Sequence, residues 1–470
     1  MLNMSLKVEN NPDTPIYIQL YEQIKNEINS GYIQPFSKLP SIRKLAEHLK
    51  LSRTTIEAAY QQLTAEGYIN SAPKVGYYVN GVELTRYGTS IRQSSSFELV
   101  AEKGAGNPKY DFSSDRLDED SFDFNLWRRY VNKVLKDSKR LLTYGSYQGE
   151  AELRLEIARY VHSSRGVICD PSQIVVGAGV QSLLQILAGL LTPQYGPIGF
   201  EEPGFRQARH VFTDHGFEII PIKIDKDGIN VEVLSRSQAR VVYVSPSHQF
   251  PMGAAIPISR RVQLLNWAHD QGGLIIEDDY DSELRYLGRP IPSLQGLNQG
   301  TSVIYLGTFS KTMLPSLRIS YMILPLDLIP AYQLKGRQYN QTSSKIEQLA
   351  LAAYMRDGWL EKQVRHLRKI YARKNQLLIE AIESIMKNKV RILGKEAGLH
   401  ILLEVQASVS PEELARFAED AGVRVMPITN FFMEELSKKP PLVLLAYGGI
   451  PTNQIIPAVT ALQGAWSKLG

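Results

Sequence analysis

The segment Thr308-Phe309-Ser310-Lys311 places a lysine and two hydroxyl side chains directly after an apolar run, and Arg318 follows seven residues beyond the lysine. A lysine amine at the end of a strand can form a Schiff base with an aldehyde. Hydroxyl groups and a nearby arginine can hold a phosphate. The segment therefore predicts a covalent site for a phosphorylated aldehyde.

Three other segments carry groups that suit the same ligand. Asp278 closes an apolar run, and its carboxylate can keep a pyridine nitrogen protonated, which makes the ring an electron sink. The run Gly177-Ala178-Gly179-Val180-Gln181 turns from a predicted strand into a predicted helix, where backbone N–H groups favour phosphate. Phe205 follows Pro203-Gly204 and offers a ring for stacking. Together these groups are the ones that pyridoxal 5′-phosphate (PLP) requires.

The elements that must position these groups alternate between strand and helix beyond Tyr110, which predicts a largely parallel sheet. The predicted strands are residues 174–176, 197–200, 241–244, 274–276, 303–306 and 319–324. Helical segments near 181–191 and 259–269 supply the covering layer. About 360 residues exceed one comfortable core, so we expect residues 109–470 to include a smaller lobe at about 371–470.

Residues 1–80 show a different pattern. Ile16, Leu20, Ile24 and Ile28 recur every four residues and predict a helix over 15–30. Two further short helices follow, starting after Ser41 and Ser52, and runs at 68–70 and 77–79 then form a hairpin. Three helices and a hairpin predict a winged helix-turn-helix, and the polar stretch 81–108 reads as a linker.

Residues 39–68 resemble the GntR winged-helix family almost position for position. An arginine in the first turn of the third helix can fork onto guanine while its neighbours meet phosphate. The resemblance implies that DNA is contacted by Ser41, Arg43, Ser52, Arg53, Thr54 and Thr55, with Lys74 and Gly76 on the wing. Residues 1–80 carry eight Lys or Arg against seven Asp or Glu, so we expect one module to bind feebly and a dimer to be needed.

From about Tyr110 to its end the chain resembles the fold-type I aminotransferases. The resemblance implies that Lys311 is the Schiff-base lysine, that Asp278 pairs with the ring nitrogen and that Tyr280 donates to the ring oxygen. Phe205 would stack on the pyridine. The phosphate would be bound by Gly179, Val180, Gln181, Thr308, Ser310 and Arg318, joined across a dimer interface by Tyr144. A shared site implies a homodimer.

A GntR winged helix joined by a linker to an aminotransferase-like domain resembles the MocR family of bacterial transcription regulators, of the vitamin-B6-synthesis or the γ-aminobutyrate (GABA) type. The segment 245–253 supports this, because His248-Gln249 before Pro251 is the form that these regulators show. Aminotransferases usually carry Asn immediately before that proline. Phe250 stands there instead and cannot donate a hydrogen bond to the cofactor.

A second departure lies near the C-terminus, where aminotransferases and GABA-type regulators place an arginine that binds the substrate carboxylate. In the matching segment 444–450 this chain has Gly448 and Gly449. The lost charge-assisted pair corresponds to about 1.5 to 3 kcal/mol. Arg206, next to Phe205, remains as a candidate effector contact.

Composition agrees with a cytoplasmic protein. The net charge is only +5, the single cysteine is Cys169, and the eight histidines show no HExxH spacing, so no metal site is predicted. No apolar run reaches the roughly 18 residues of a membrane span, and residues 1–12 lack the features of a signal peptide.

We therefore predict a PLP-binding regulator that binds double-stranded operator DNA as a dimer and does not turn over substrate. Three alternatives stay open for the role of the second half. The signal is PLP itself, in control of vitamin B6 synthesis; or it is an amino acid or dipeptide that forms an external aldimine; or the chain is an active aminotransferase with an appended DNA-binding domain.

Overall fold

The computed structural model describes residues 14–73, 75–81, 108–113, 116–192, 195–286, 291–433, 440–467 and 469 of the 470-residue chain. The chain divides into two compact units, Met1–Gly104 and Ala105–Gly470. Residues 1–12, for which no signal peptide is predicted, and nearly all of the predicted linker lie outside the described residues. Among the described helices, none has the length and apolar character needed to cross a membrane.

The first unit is a winged helix-turn-helix, as predicted. Its elements are α1 (Ile16–Asn29), α2 (Ile42–Leu49), α3 (Arg53–Ala65), β1 (Ile69–Ala72) and β2 (Gly76–Val79). The two strands pair antiparallel, Ile69 opposite Val79. Leu20 and Ile24 of α1 are buried against Ile56 and Leu63 of α3, which fixes the orientation of α3 relative to the rest of the unit.

The second unit contains fourteen strands among the described residues. They are β3 (Tyr110–Asp111), β4 (Ile174–Gly177), β5 (Ile198–Glu202), β6 (Ile219–Asp225), β7 (Gly228–Ile229), β8 (Val241–Val244), β9 (Leu274–Asp279), β10 (Val303–Thr308), β11 (Ser320–Ile323), β12 (Val390–Leu393), β13 (His400–Val405), β14 (Val423–Arg424), β15 (Met426–Pro427) and β16 (Leu442–Ala446). All six strands predicted for this half are present. The prediction missed β6, whose Lys223 and Asp225 interrupt the apolar run.

The helices that surround these strands include the two that were predicted, now α7 and α10. Their bounds are α4 (Phe124–Leu135), α5 (Ser138–Leu141), α6 (Ala151–Arg165), α7 (Val180–Leu191), α8 (Arg206–Asp214), α9 (Val231–Arg236), α10 (Ile258–Gln271), α11 (Leu294–Leu297), α12 (Ile329–Gly336), α13 (Lys345–Arg356), α14 (Trp359–Ile385), α15 (Pro411–Asp420) and α16 (Ile455–Trp466).

The main sheet has eight strands in the order β4-β11-β10-β9-β8-β5-β6-β7. Strands β6, β5, β8, β9 and β10 are mutually parallel. Strand β11 runs antiparallel to both β10 and β4, so β4 has the same direction as β10. The carboxyl ends of β4, β5, β8, β9 and β10 therefore lie along one edge of the sheet, together with the start of β11.

A second sheet, ordered β12-β13-β16-β15, forms what we call the small lobe together with α15 and α16. Its strands alternate between two environments. Leu442 and Leu444 of β16 belong to a cluster that also contains Phe250, whereas Val443 and Leu445 pack in the core with α16. The start of the unit also belongs here, because β3 pairs in parallel with β14 and Phe112 is fully buried in the small-lobe core. The small lobe thus extends beyond the predicted 371–470.

Candidate functional site

The carboxyl edge of the main sheet brings together the residues that the sequence singles out. Gly179 follows β4, Phe205 follows β5, Asp278 is the second-to-last residue of β9, and Lys311 lies three residues after β10. Backbone register fixes their order along the edge, since Leu306 lies opposite Asp278 and Thr308 lies opposite Ser320. Residues that are more than 130 positions apart in sequence therefore converge on one cleft.

Asp278 lies at the centre of this edge and is 5% exposed. Its Oδ2 accepts a hydrogen bond from the Tyr243 hydroxyl, whereas its Oδ1 is buried and has no hydrogen-bond partner among the described residues. Burial raises the pKa of Asp278 to about 7. A buried carboxylate oxygen without a donor fits a protonated ring nitrogen, so the residues present suit the pyridine of PLP.

A candidate phosphate cradle lies at the same edge of the sheet, where α7 begins after β4. Gly179 has φ +94°, and a Cβ at that position would overlap the guanidinium of Arg318. The guanidinium therefore occupies the space that a side chain at position 179 would fill, next to the N-terminus of α7 with Val180 and exposed Gln181. This arrangement can hold an anion between backbone N–H groups and a guanidinium.

Hydroxyl groups complete the cradle. The Ser320 hydroxyl donates to Thr308 Oγ1 over 2.8 Å, and Thr308 Oγ1 also accepts from the Ser310 backbone N–H over 3.2 Å. On the opposite side, the Ala178 N–H donates to Thr342 Oγ1 over 3.0 Å. Thr308 and Ser310 thus share one set of hydrogen bonds with Ser320, and their role toward a phosphate stays a prediction. Ser320 and Thr342 are additional polar groups at this edge. Lys311 follows in a turn and is half-buried.

Aromatic rings line the cleft above Asp278. Phe205 caps the start of α8 and lies nearly parallel to Tyr243, with centroids 6.5 Å apart and an interplanar angle of 27°. Phe250 meets Phe205 and Tyr280 edge-on, at 6.2 and 6.1 Å, and meets Phe431 of the small lobe at 4.9 Å. Phe250 is therefore the ring that joins the predicted cofactor face to the small lobe.

Tyr280 makes a contact that the sequence did not indicate. Its hydroxyl donates to the backbone carbonyl of His248 over 2.9 Å and lies 3.0 Å from His248 Nδ1. Nδ1 also lies 2.8 Å from Asp281 Oδ2. In the sequence, the motif around His248 indicates only a resemblance to a family. It does not predict the contacts of the imidazole side chain. The role of Tyr280 toward a ring oxygen stays a prediction.

A second feature that the sequence did not predict is a buried ion pair that holds β9. Arg165 at the end of α6 donates from Nε to Asp279 Oδ2 over 2.7 Å and from Nη2 to Asp279 Oδ1 over 3.2 Å. The Tyr305 hydroxyl also donates to Asp279. Both charged side chains are at most 3% exposed. This pair holds the strand that carries Asp278.

The structure changes the interpretation of the missing carboxylate anchor. Gly449 lies beyond the end of β16, and a Cβ there would be 2.7 Å from Arg116 Cβ, so this glycine makes room for Arg116. The buried side chains of β16 that share a cluster with Phe250 are Leu442 and Leu444. Leu444, and not Gly449, therefore belongs to the group of side chains that packs with Phe250. Arg206 is exposed at the first position of α8.

Tyr144 is 90% exposed on the single chain. Leu142 nearby is 86% exposed and Tyr339 is 71% exposed. The loop that carries Tyr144 is tied to α13, because Lys345 Nζ donates to the Arg140 and Thr143 carbonyls. A tyrosine that crosses to a partner subunit must be free of its own chain, which agrees with the prediction, but the dimer itself stays a prediction.

In the first unit, both predicted helix starts are capped as expected. Ser41 Oγ accepts from Lys44 N–H over 3.3 Å, and Ser52 Oγ accepts from Thr55 N–H over 3.1 Å. The Ser52 hydroxyl also lies 2.8 Å from Thr54 Oγ1 and 2.7 Å from Thr55 Oγ1. The three hydroxyls therefore form one exposed polar group at the start of α3.

The remaining predicted DNA contacts differ in their surroundings. Arg53 is exposed at the first position of α3. Arg43 forms an exposed pair with Glu47, at 3.1 Å, so contact with DNA would require it to leave that carboxylate. Gly76 has φ +125° at the start of β2. Lys74 lies outside the described residues.

Replacing Arg53 by alanine is expected to weaken DNA binding by about 1 to 3 kcal/mol, because a base-edge contact is lost from the recognition helix. A mobility-shift titration measures this, with PLP binding as a check that the second unit is intact. Lys25→Ala removes a positive charge from α1, where Lys25 pairs with Glu66, and serves as the control. Equal affinities of wild type and Arg53→Ala would exclude this helix from the major groove.

Comparison with known families separates the two halves of the chain. The family of bacterial regulatory proteins named gntR matches residues 16–79. The family of class I and II aminotransferases matches residues 108–439. These matches agree with the winged helix and with the sheet-edge cleft.

Full-length relatives share both halves. The HTH-type transcriptional regulator YhdI of Bacillus subtilis is 44% identical over 97% of each chain. The probable rhizopine catabolism regulatory protein MocR of Rhizobium meliloti is 30% identical over 99% of this chain and 96% of its own. The HTH-type pyridoxine biosynthesis transcriptional regulator PdxR of Corynebacterium glutamicum is 30% identical over 85% of each.

Among solved structures, the kynurenine aminotransferase of Pyrococcus horikoshii superposes with a TM-score of 0.70 and 24% identity, over 77% of this chain and 91% of that one. At this identity the likeness shows the fold of the second unit, a fold-type I aminotransferase domain, and no more.

Proposed function

The chain belongs to the MocR family of HTH-type transcriptional regulators, in which a GntR winged helix precedes an aminotransferase-like domain, and from this premise we propose that PLP itself is its signal. The winged helices of a homodimer bind operator DNA, and the second unit binds PLP. Occupancy of the PLP site alters operator affinity, which controls a gene of vitamin B6 synthesis.

The observation that carries this proposal is the unpartnered Oδ1 of Asp278. A buried carboxylate with a raised pKa destabilises the folded chain when it ionises, and a protonated pyridine nitrogen relieves that cost. Arg318 at the cradle of Gly179 supplies the matching charge for a phosphate. PLP would be held by Lys311, Asp278 and this cradle; when bound, it supplies an aldehyde for a lysine and a ring that withdraws electrons.

The small-lobe side of the cleft supports PLP over an amino acid as the signal. The ring of His400 lies 5.6 Å from that of Phe250, and the other side chains that pack with Phe250 on this side include the apolar Leu402 and Leu444, which are fully or nearly fully buried. An amino-acid carboxylate placed against them would lose water without gaining a charged partner. The relative PdxR is named for pyridoxine biosynthesis, which favours the same signal.

The same apolar wall argues against turnover. A substrate must be oriented by its carboxylate if its amino group is to react in one geometry, and Phe250 offers no hydrogen bond where aminotransferases usually carry Asn. We therefore propose a regulator without aminotransferase activity. An assay with several amino donors and oxo acids that detects multiple turnovers would overturn this part.

Removing PLP is expected to change the affinity for operator DNA by about 5- to 150-fold, the usual size of an allosteric coupling. The operator is first obtained by sequencing the DNA fragments that the purified protein retains. Apo and holo proteins are then titrated against that operator. Equal affinities would refute PLP as the signal, since a ligand that binds both states equally shifts nothing.

Isothermal titration of the holo protein with GABA, D-alanine, D-alanyl-D-alanine and common L-amino acids tests the rival. We expect no saturable binding. A heat of binding that comes with a change in operator affinity would instead support an amino-acid or dipeptide effector, with exposed Arg206 beside Phe205 as the residue to replace first.

A further inference from the structure

His248 occupies a narrow buried space between two loops of the second unit. Its side chain is about 1% exposed and belongs to the loop between β8 and α10. A Cβ on Gly253 (φ +74°) would lie 3.2 Å from His248 Nε2, and a Cβ on Gly398 (φ +76°) would overlap the imidazole. The two glycines thus form a slot that fits the imidazole and leaves it little freedom to move.

The hydrogen bonds of His248 connect it to Tyr280. His248 Nδ1 lies 2.8 Å from Asp281 Oδ2, and we assign the imidazole proton to Nδ1, from which it can be donated to that oxygen. The Tyr280 hydroxyl then donates to the His248 carbonyl, over 2.9 Å. The hydroxyl predicted to meet the cofactor's ring oxygen is therefore engaged by the backbone of His248.

The other side of His248 faces the small lobe. Gly398 precedes β13, and its carbonyl accepts from the Tyr447 hydroxyl, over 2.6 Å, at the end of β16. His400 of β13 lies with its ring 5.0 Å from that of His248 and its Nε2 3.0 Å from the Pro251 carbonyl. The slot is therefore formed jointly by the loop of the main sheet and by the small lobe.

We propose that His248 is a positioning residue that transmits occupancy of the PLP site to the small lobe, an inference that rests on the proposed function. When Tyr280 gives its hydroxyl to a bound ligand, the His248 carbonyl loses its donor. The loop 245–253 then changes its conformation. Because the imidazole is held between Gly253 and Gly398, its movement displaces the loop that carries Gly398 in the small lobe. His248 acts through Tyr280, whose hydroxyl contacts both its backbone carbonyl and its Nδ1.

Two unsatisfied atoms identify the slot as the place where such a change can occur. His248 Nε2 and Asp281 Oδ1 are buried and have no hydrogen-bond partner among the described residues. Buried polar groups without partners are rare in a settled core. A second arrangement of His248 and Asp281 in which either atom gains a hydrogen-bond partner would offset the free energy lost when Tyr280 no longer donates to the His248 carbonyl.

The test uses full-length protein and compares apo and holo affinity for operator DNA. His248→Leu removes the bond to Asp281, and we expect it to bind PLP within about threefold of wild type while the apo-to-holo difference in operator affinity falls below about twofold. His248→Asn retains an amide donor near the position of Nδ1 and is expected to restore at least half of that difference. A merely structural role would not separate PLP affinity from coupling in this way.

Two further variants keep the test decisive. His162→Leu makes the same substitution in α6 at an imidazole that lies 3.3 Å from a backbone carbonyl, and it should keep wild-type coupling. If thermal melting shows that His248→Leu does not fold, Asp281→Ala decides instead, since it removes the carboxylate oxygen that lies 2.8 Å from His248 Nδ1 and leaves the Tyr280 hydroxyl in place. Loss of coupling in folded Asp281→Ala with PLP still bound supports the relay, and unchanged coupling refutes it.

The outcomes distinguish this inference from the proposed function. If wild-type apo and holo proteins bind operator equally, PLP is not the signal and both fall. If wild type shows the difference and folded His248→Leu retains it, the proposed function stands and the relay through His248 is refuted.

Discussion

Lys311→Ala is expected to abolish covalent attachment of PLP and the absorbance of the lysine-bound cofactor. We expect this because of the position of Lys311 in the sheet. Lys311 follows β10 at the carboxyl edge, three residues beyond Thr308, on the same edge as Asp278, so its amine is the one that the sheet topology brings to this cleft. Non-covalent PLP should still bind through the cradle at Gly179 and Arg318, with lower affinity.

Borohydride reduction of the holo protein followed by mass spectrometry locates the adduct. Lys335→Ala provides the control, because Lys335 is exposed in α12 and donates to the Gly189 carbonyl, away from the sheet edge. An adduct on any lysine other than Lys311 in the wild type would overturn the assignment of the whole cleft.

Arg165→Met should lower the free energy of unfolding of the second unit by about 3 to 5 kcal/mol. The substitution leaves Asp279 buried with the Tyr305 hydroxyl but without its guanidinium, and an uncompensated buried charge costs that much. All four tryptophans lie in this unit, at positions 127, 267, 359 and 466. Denaturation followed by tryptophan fluorescence therefore reports on it alone.

Arg236→Met is the matched control. Arg236 pairs with Glu232 at the surface of α9, both about three-quarters exposed, and such a pair contributes at most about 1 kcal/mol. Should Arg165→Met shift the unfolding midpoint no further than Arg236→Met, the buried pair does not support β9 in the way we describe.

The cleft could be predicted from the sequence because it depends on topology. Each predicted strand end carries a distinctive residue, such as Asp278 or Gly179, and parallel strands bring their carboxyl ends to one edge whatever the loops between them do. The same reasoning placed Ser52 and Arg53 at the start of α3, since a serine cap and an apolar period define a helix locally.

Contacts that depend on tertiary packing could not be predicted. Arg165 and Asp279 are 114 residues apart, and no local pattern relates them. The surroundings of Gly449 and Leu444 could not be predicted for a different reason. Successive residues of a strand face opposite sides, and only the pairing of β16 with β13 shows that Leu444 faces the cluster of Phe250. The sequence shows His248 only as part of a motif, because its contact with Asp281 is known only once the fold is known.

The pairing of β3 with β14 attaches the first described residues of the second unit to the small lobe. Tyr110 and Asp111 pair with Val423 and Arg424, and the Phe112 N–H donates to the Arg424 carbonyl over 2.8 Å. The anchorage of the incoming chain is therefore the small lobe and not the main sheet. A rotation of that lobe by a few degrees would therefore carry residues 110–112 with it, so a change in the cleft that turns the small lobe would also move the place where the described part of the second unit begins.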